Sequence, residues 1–149
     1  MDANLKARLM SALYDSPLVN NTFRGTLVEA MLAQVLEPEW RWCSADWASH
    51  DFENAYGLKL EVKQSAALQS WHEPGLRSNR GRFDIRARTG RYEGARWIGE
   101  PGRAAQIYVF GWHGLTDPNV ADHRDSSQWQ FYAMKAVDLP EQEPSRSRA

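Results

Sequence analysis

The chain has 149 residues and a net charge of −1, with 42% hydrophobic residues and seven tryptophans. This length and apolar content suffice for one domain with a buried core, and they exclude a largely disordered chain. The near-neutral charge gives no global electrostatic signal for nucleic-acid binding. The single cysteine, Cys43, excludes an internal disulfide and a multi-cysteine zinc site, so we expect a buried or incidental thiol. Because the N-terminal stretch carries charges and no apolar run approaches the ~20 residues of a membrane span, we expect a soluble, cytoplasmic protein.

Two helices are predicted before any strand. Apolar residues recur at helical spacing over residues 3–14, and the turn signal Asp15-Ser16-Pro17 ends this pattern. A second helix is predicted over residues 21–36, where Asn21 or Thr22 can cap its N-terminus. Both helices are expected to flank the sheet that follows.

An antiparallel hairpin is predicted after the helices. The stretch 39–49 holds three tryptophans and has no regular pattern. Residues 50–56 and 58–65 then alternate in polarity as two strands that Gly57 joins tightly. Residues 66–71 fit either a short helix or a bent extension of the second strand.

The remaining sequence completes one domain. Further strands are predicted at 82–88, 105–112 and 129–137. Helices followed by strands predict an α+β fold with a mixed sheet over residues 1–139. Residues 140–149 have almost no apolar side chains and are expected to form a flexible tail.

Positive charge is concentrated between residues 77 and 103. This stretch holds eight arginines against three acidic residues, a local net charge of +5. Two interpretations of these arginines stay open. They lie on solvated strand faces and a loop, or they form a surface that binds along nucleic-acid phosphates.

The strand at 58–65 carries the most informative pattern. Under two-residue alternation, Glu61 and Lys63 project from one face, roughly 7 Å apart along the strand. Asp51 lies on the adjacent arm, where cross-strand neighbours approach to about 5 Å, and Glu29 lies on the preceding helix. Clustered carboxylates need a hard cation, and their oxygens suit Mg²⁺ or Mn²⁺. Such an ion with an ammonium beside it favours phosphodiester hydrolysis.

These residues resemble the PD-(D/E)XK superfamily of restriction endonucleases and related DNA repair and recombination enzymes. The matching pieces are Glu29 within GTLVE, Asp51 within HDF, Glu61-Val62-Lys63 within EVKQSA, and Gln69. The similarity covers about residues 24–71 and continues more loosely through 81–88 and 105–112. It implies a restriction-endonuclease-like mixed sheet flanked by helices and a metal-dependent nuclease. Histidine, rather than proline, precedes the aspartate.

The resemblance implies a role for each matching residue. Asp51 and Glu61 would be metal ligands together with the backbone carbonyl of Val62. Lys63 would position or activate the attacking water. The alternative for Glu61 and Lys63 is an exposed strand face whose opposite charges keep a sheet edge soluble.

Two further residues would support this site. Glu29 would assist the metal directly or through a water, and Gln69 would contact the metal shell or the substrate phosphate. The alternatives are an ordinary boundary residue and a residue that satisfies the turn after the strand. Glu53 and Asp46 compete with Asp51 for the ligand role.

Arg24 and one further group of polar residues carry no functional prediction. Arg24 falls among apolar residues of its helix, where it can reach a phosphate or pair with an active-site carboxylate. A second group gathers around a long connector but matches no metal-ligand spacing: His113, Asp117, Asp122, His123 and Asp125.

The resulting hypothesis is a Mg²⁺- or Mn²⁺-dependent nuclease whose favoured partner is DNA, with a homodimer or a larger complex left open. One alternative is a catalytically inactive protein of the same fold that binds nucleic acid or serves as an assembly subunit. Another is an unrelated α+β interaction domain in which the Glu61-Val62-Lys63 triplet is coincidental. The sequence does not distinguish DNA from RNA or endonuclease from exonuclease.

Overall fold

The computed structural model describes residues 1–43, 48–75, 78–87 and 90–141. Two helices are present as predicted, α1 at Ala3–Tyr14 and α2 at Asn21–Leu36. In the described part of the chain, neither helix is long and apolar enough to cross a membrane. Most of the predicted tail at 140–149 lies outside the described residues.

The N-terminus of α2 differs from the prediction. Its cap is Asn20, whose side chain accepts a hydrogen bond from the Thr22 backbone N–H at 3.0 Å. Asn21 is not the cap because its side-chain oxygen accepts a hydrogen bond from Arg24 at 2.8 Å. A buried guanidinium therefore takes the side chain that could otherwise cap the helix.

Seven strands follow in the described residues: β1 Trp40–Trp42, β2 Phe52–Asn54, β3 Lys59–Ala66, β4 Arg91–Glu93, β5 Arg96–Ile98, β6 Ile107–His113 and β7 Trp129–Lys135. Five form one sheet in the order β1-β2-β3-β6-β7, while β4 and β5 form a separate hairpin. Only the pairing of β3 with β6 is parallel. The predicted α+β class with a mixed sheet is confirmed, and β3 is its central strand.

The turn between β2 and β3 forms around Gly57, as predicted. Gly57 has φ +77°, a left-handed conformation that glycine adopts without steric cost. The Asn54 side chain accepts hydrogen bonds from the backbone N–H groups of Tyr56 and Leu58, both at 3.0 Å. These side-chain bonds close the turn, so β2 ends at Asn54. Since β2 also begins only at Phe52, the strand predicted at 50–56 is two residues too long at each end, and Asp51 lies just before the strand.

The core lies between α2 and one face of the sheet. Phe52 and Leu60 pack with Ala33 of α2 and Val109 of β6 in one buried cluster. Helix α1, by contrast, buries none of its residues. The sheet is therefore covered by α2, and the prediction that both helices flank it is not met by α1.

The predicted strand at 82–88 is wrong for the residues described there. The Asp84 side chain accepts a hydrogen bond from the Arg86 backbone N–H at 3.2 Å, and the Arg103 side chain donates to the Ile85 carbonyl at 2.8 Å. Side chains thus satisfy backbone groups that a strand would pair, and the segment stays irregular. The unpredicted hairpin β4–β5 turns at Gly94, which has φ +60°.

Two leucines of one segment provide a matched test of the core. Leu60 is 3% exposed, whereas Leu58 is 40% exposed. We expect Leu60→Ala to lower the free energy of unfolding by about 2–5 kcal/mol, because a buried leucine leaves a cavity. Leu58→Ala should lower it by less than about 1 kcal/mol. Urea denaturation of both variants measures the difference, and equal losses would contradict the assigned core.

Candidate active site

Asp51 directly precedes β2 and turns its carboxylate toward β3. Its Oδ2 accepts a hydrogen bond from the Val62 backbone N–H at 2.7 Å, and its own N–H donates to the Leu60 carbonyl at 2.9 Å. The N–H and C=O of one strand residue point to the same side of the strand. The Val62 carbonyl therefore faces the same side as the Asp51 carboxylate, and two of the predicted ligands lie together.

Glu61 and Lys63 share a face of β3, as the alternation predicted. The Lys63 Nζ lies 2.8 Å from a carboxylate oxygen of Glu61, and the side chains are only 22% and 13% exposed, respectively. Since β3 has partners on both sides, this ion pair is not at a sheet edge. The alternative that these charges keep an exposed edge soluble is therefore wrong.

Three carboxylates from different elements share one electrostatic environment. Burial, together with the charges of Glu61 and Glu29, raises the pKa of Asp51 to about 7, against the opposing effects of the Val62 N–H and Lys63. Burial also raises the pKa of Glu29, while a hydrogen bond from Trp42 Nε1 at 2.9 Å opposes this and Glu61 adds to it. Glu29, Asp51 and Glu61 thus lie near enough to act on one another electrostatically, and Lys63 is close to Glu61.

The donor set fits a small, hard divalent cation. Carboxylate and carbonyl oxygens suit Mg²⁺, which keeps several water ligands, so two carboxylates and the Val62 carbonyl are enough protein donors. Among the described residues, the carboxylate oxygens of Glu29, Asp51 and Glu61 do not all lie within 4.8 Å of one another. Glu29, held by Trp42, would consequently act through a water.

The two contenders for the ligand role of Asp51 have different outcomes. The Glu53 carboxylate lies 3.2 Å from Arg41 and 3.3 Å from His50. It is therefore engaged away from the Val62 backbone that Asp51 contacts. Asp46 lies outside the described residues.

An open cleft adjoins Lys63. It has a volume of about 730 Å³, and its wall includes Arg24, Gln64, Gln69, His72 and Arg82. Amide, imidazole and guanidinium groups dominate these positions, and such groups donate hydrogen bonds to anionic oxygens. The rest of the wall includes the rings of Trp71 and Phe83 and the carboxylate of Asp84, so the cleft offers donors for anionic oxygens beside aromatic surface.

Arg24 is a buried cation in this wall, with an exposed fraction of 1%. Its guanidinium donates to side-chain oxygens of Gln64 at 2.7 Å and Gln69 at 3.3 Å. Burial lowers its pKa to about 10, so it remains charged at neutral pH. Pairing with an active-site carboxylate, one of the two options for Arg24, does not occur among the described residues, because its three nitrogens donate to oxygens of Val19, Asn21, Gln64 and Gln69.

Gln69 lies beside Arg24, in the cleft. Its side-chain N–H donates to the Ala66 carbonyl at 2.9 Å, and its oxygen accepts from Arg24. The first contact satisfies the turn after β3, which was the alternative to a functional role, and the second ties that turn to α2. Contact of Gln69 with a metal shell or a phosphate stays a prediction.

In the arginine-rich stretch, some arginines pair with acids, some border the site, and Arg86 does both. Arg86 pairs with Asp84 at 3.0 Å, and Arg91 lies within 3.1 Å of acidic partners. Arg82 lines the cleft, while Arg86 and Arg103 line a small space beside Glu61 and Lys63. Positions 77 and 88 lie outside the described residues. Part of the local positive charge therefore borders the site, and part is neutralised by the stretch itself.

The histidines of the long connector belong to the core. His113 and His123 are buried, their ring centroids lie 4.8 Å apart, and Trp129 packs against His113 at 5.2 Å. His123 Nδ1 accepts a hydrogen bond from the Val19 N–H at 2.9 Å. Burial lowers the pKa of His123 to about 4, so the ring is neutral at physiological pH.

No protein-family model, curated protein or solved structure matches this chain.

Proposed function

We propose that this protein is a Mg²⁺- or Mn²⁺-dependent nuclease with a restriction-endonuclease-like fold, which hydrolyses phosphodiester bonds in DNA. One observation carries the proposal: Asp51, Glu61 and Lys63 converge beside the Val62 backbone on the central strand. The Asp51 carboxylate touches that backbone at 2.7 Å, and the Lys63 ammonium lies 2.8 Å from Glu61. Of these three residues, Lys63 also lines the polar cleft.

The order of the elements supports this fold assignment. Helix α2 carries Glu29, the segment before β2 carries Asp51, and β3 carries Glu61 and Lys63. The resemblance to the PD-(D/E)XK superfamily implies the same order of a helical acid, an aspartate and a strand with Glu61 and Lys63. Helix α2 also packs on the sheet through Ala33 and so fixes the helical acid relative to β3.

The chain's own groups divide the work of phosphodiester hydrolysis. Asp51, Glu61 and the Val62 carbonyl would hold the cation, which when bound polarises the phosphate and makes water more acidic. Lys63 orients the attacking water and stabilises the negative charge that grows on the phosphate oxygens.

Nucleic acid is the substrate class that fits the surroundings. Arg82 lines the cleft next to Lys63, and Arg103 and the Asp84-paired Arg86 border the Glu61–Lys63 pair. Arginines that line a groove follow a phosphate backbone without reading its sequence. A chain with no net positive charge can thus bind DNA locally.

The first test is cleavage of single- and double-stranded DNA by purified protein with Mg²⁺, Mn²⁺ or a chelator. Lys63→Ala should lower the rate by about 10²–10³-fold, because a charge-stabilising donor is lost at the transition state. Gel electrophoresis of labelled substrate measures the rate. Lys6→Ala is the matched control, since Lys6 is exposed on α1, and it should retain the full rate.

Two outcomes would contradict the proposal. Cleavage that survives in Lys63→Ala would show that the activity comes from elsewhere in the chain or from a contaminant. DNA binding without cleavage under any of the metal conditions would instead favour the catalytically inactive binding subunit.

A further inference from the structure

A second cluster of metal-binding side chains lies close to Asp51 but is separate from its carboxylate. Cys43 follows β1, His50 precedes β2, and Glu53 is part of β2. One ligand atom from each lies within 4.8 Å of the others, and in the described part of the chain only this group meets that criterion. From this geometry we propose that Cys43, His50 and Glu53 bind a zinc-class divalent ion.

The distance between two of the three ligand atoms matches that of a tetrahedral site. His50 Nε2 and a Glu53 carboxylate oxygen lie 3.3 Å apart. Zinc bonds of about 2.0–2.1 Å to nitrogen and oxygen at a tetrahedral angle separate two ligand atoms by about 3.3 Å. The two side chains therefore already have the spacing that a shared ion would impose.

His50 is also oriented like a metal ligand. Its Nδ1 lies 3.0 Å from the Ser49 hydroxyl, so its Nε2 points into the cluster. Metal-binding histidines almost always engage their second ring nitrogen in such a hydrogen bond, which fixes the tautomer and the ring plane. The contact with Ser49 thus fixes the ring orientation of His50, which an ion pair with Glu53 alone would not require.

The chemistry of the three groups selects the ion. A thiolate, an imidazole and a carboxylate suit zinc and its spectroscopic substitute cobalt, whereas Mg²⁺ takes oxygen ligands. Binding converts the Cys43 thiol to a metal-bound thiolate and releases its proton to solvent. Arg41, which lies 3.2 Å from Glu53, has a mostly exposed side chain and can withdraw. A water would fill the fourth position, as in open zinc sites.

The location of this site gives it a structural role. The Cys43 N–H donates to the Asp51 carbonyl at 2.7 Å, and His50 is the preceding neighbour of Asp51 in the chain. A bound ion would tie the end of β1 to the start of β2 and hold the backbone from which Asp51 projects. This role does not depend on which reaction the carboxylate serves.

The test is a titration of the chelator-treated, full-length protein with Co²⁺, followed by absorbance. Because the chain has one cysteine, a thiolate-to-cobalt charge-transfer band reports on Cys43. The band should saturate at one ion per chain, disappear when Zn²⁺ is added and survive millimolar Mg²⁺. Glu53→Gln and His50→Gln should each weaken cobalt binding about tenfold or more.

A matched variant separates this site from the proposed nuclease site. Glu61→Gln should leave the cobalt titration unchanged, because Glu61 is not part of the cluster. Absence of the band at excess Co²⁺ would overturn the inference, as would a band with the same affinity in Glu53→Gln and His50→Gln. Neither result bears on DNA cleavage, so the two proposals can fail independently.

Discussion

Asp51→Asn should make the protein more stable and abolish its Mg²⁺-dependent cleavage. Asparagine can still accept the hydrogen bond from the Val62 N–H, but it carries no charge toward Glu61 and Glu29. We expect cleavage to fall by about 10³-fold or more, on the scale of losing an essential catalytic group. In chelator at pH 8, the free energy of unfolding should rise by roughly 2–4 kcal/mol, because a buried charge disappears.

The sign of this stability change follows from the pKa of Asp51. The folded-state value of about 7 lies above the ordinary value of 3.8. Between these two pH values the folded protein holds a proton that the unfolded chain releases, so this group destabilises the protein progressively as pH rises toward 7. The advantage of Asp51→Asn should therefore be full at pH 8 and vanish near pH 4.

Urea denaturation in chelator at pH 4, 6 and 8, together with cleavage assays, measures both effects. Asp138→Asn is the control, because Asp138 is exposed, and it should match the parent protein in both assays. An asparagine variant that is less stable than the parent protein at pH 8 would show that Asp51 is held ionised by a favourable partner. The electrostatic account of the site would then fail.

The alternation of side chains in β3 could be predicted from sequence because a strand has only two faces. Glu61 and Lys63 had to lie together once that segment was a strand, and the structure places them 2.8 Å apart. The two helices could also be predicted, since their apolar spacing and end signals are local. The α2 cap could not be predicted in this way, because the Asn21 side chain accepts a hydrogen bond from Arg24 instead of capping the helix.

Features that depend on contacts between distant segments could not be predicted from the sequence pattern. Residues 82–87 have strand-like composition, but Arg103 and the Asp84 side chain satisfy their backbone groups instead of a neighbouring strand. The Trp42 donor to Glu29 was missed because tryptophan fits any core position and its N–H direction depends on the fold. The approach of Cys43 to His50 and Glu53 likewise requires the pairing of β1 with β2.

Mg²⁺ should stabilise the folded protein strongly at pH 8 and weakly at pH 5. An ion that binds only the folded state raises the free energy of unfolding by about 2.7 kcal/mol at a concentration of 100 Kd. At pH 8 the Asp51 carboxylate is ionised, because its pKa is about 7, and it is available as a ligand. At pH 5 a proton occupies it and competes with the ion, so most of the stabilisation should be lost.

Thermal denaturation with MgCl₂, against NaCl of equal ionic strength, isolates specific binding from charge screening. Glu61→Gln should lose the stabilisation at both pH values, because the remaining carboxylates cannot hold the ion with Val62. Cys43→Ser should keep it, since Mg²⁺ does not favour a thiolate. Equal stabilisation at pH 5 and pH 8, or an undiminished effect in Glu61→Gln, would place the cation elsewhere. The convergence of Asp51 and Glu61 on β3 would then be a structural feature without a metal, and the nuclease proposal would lose its chemical basis.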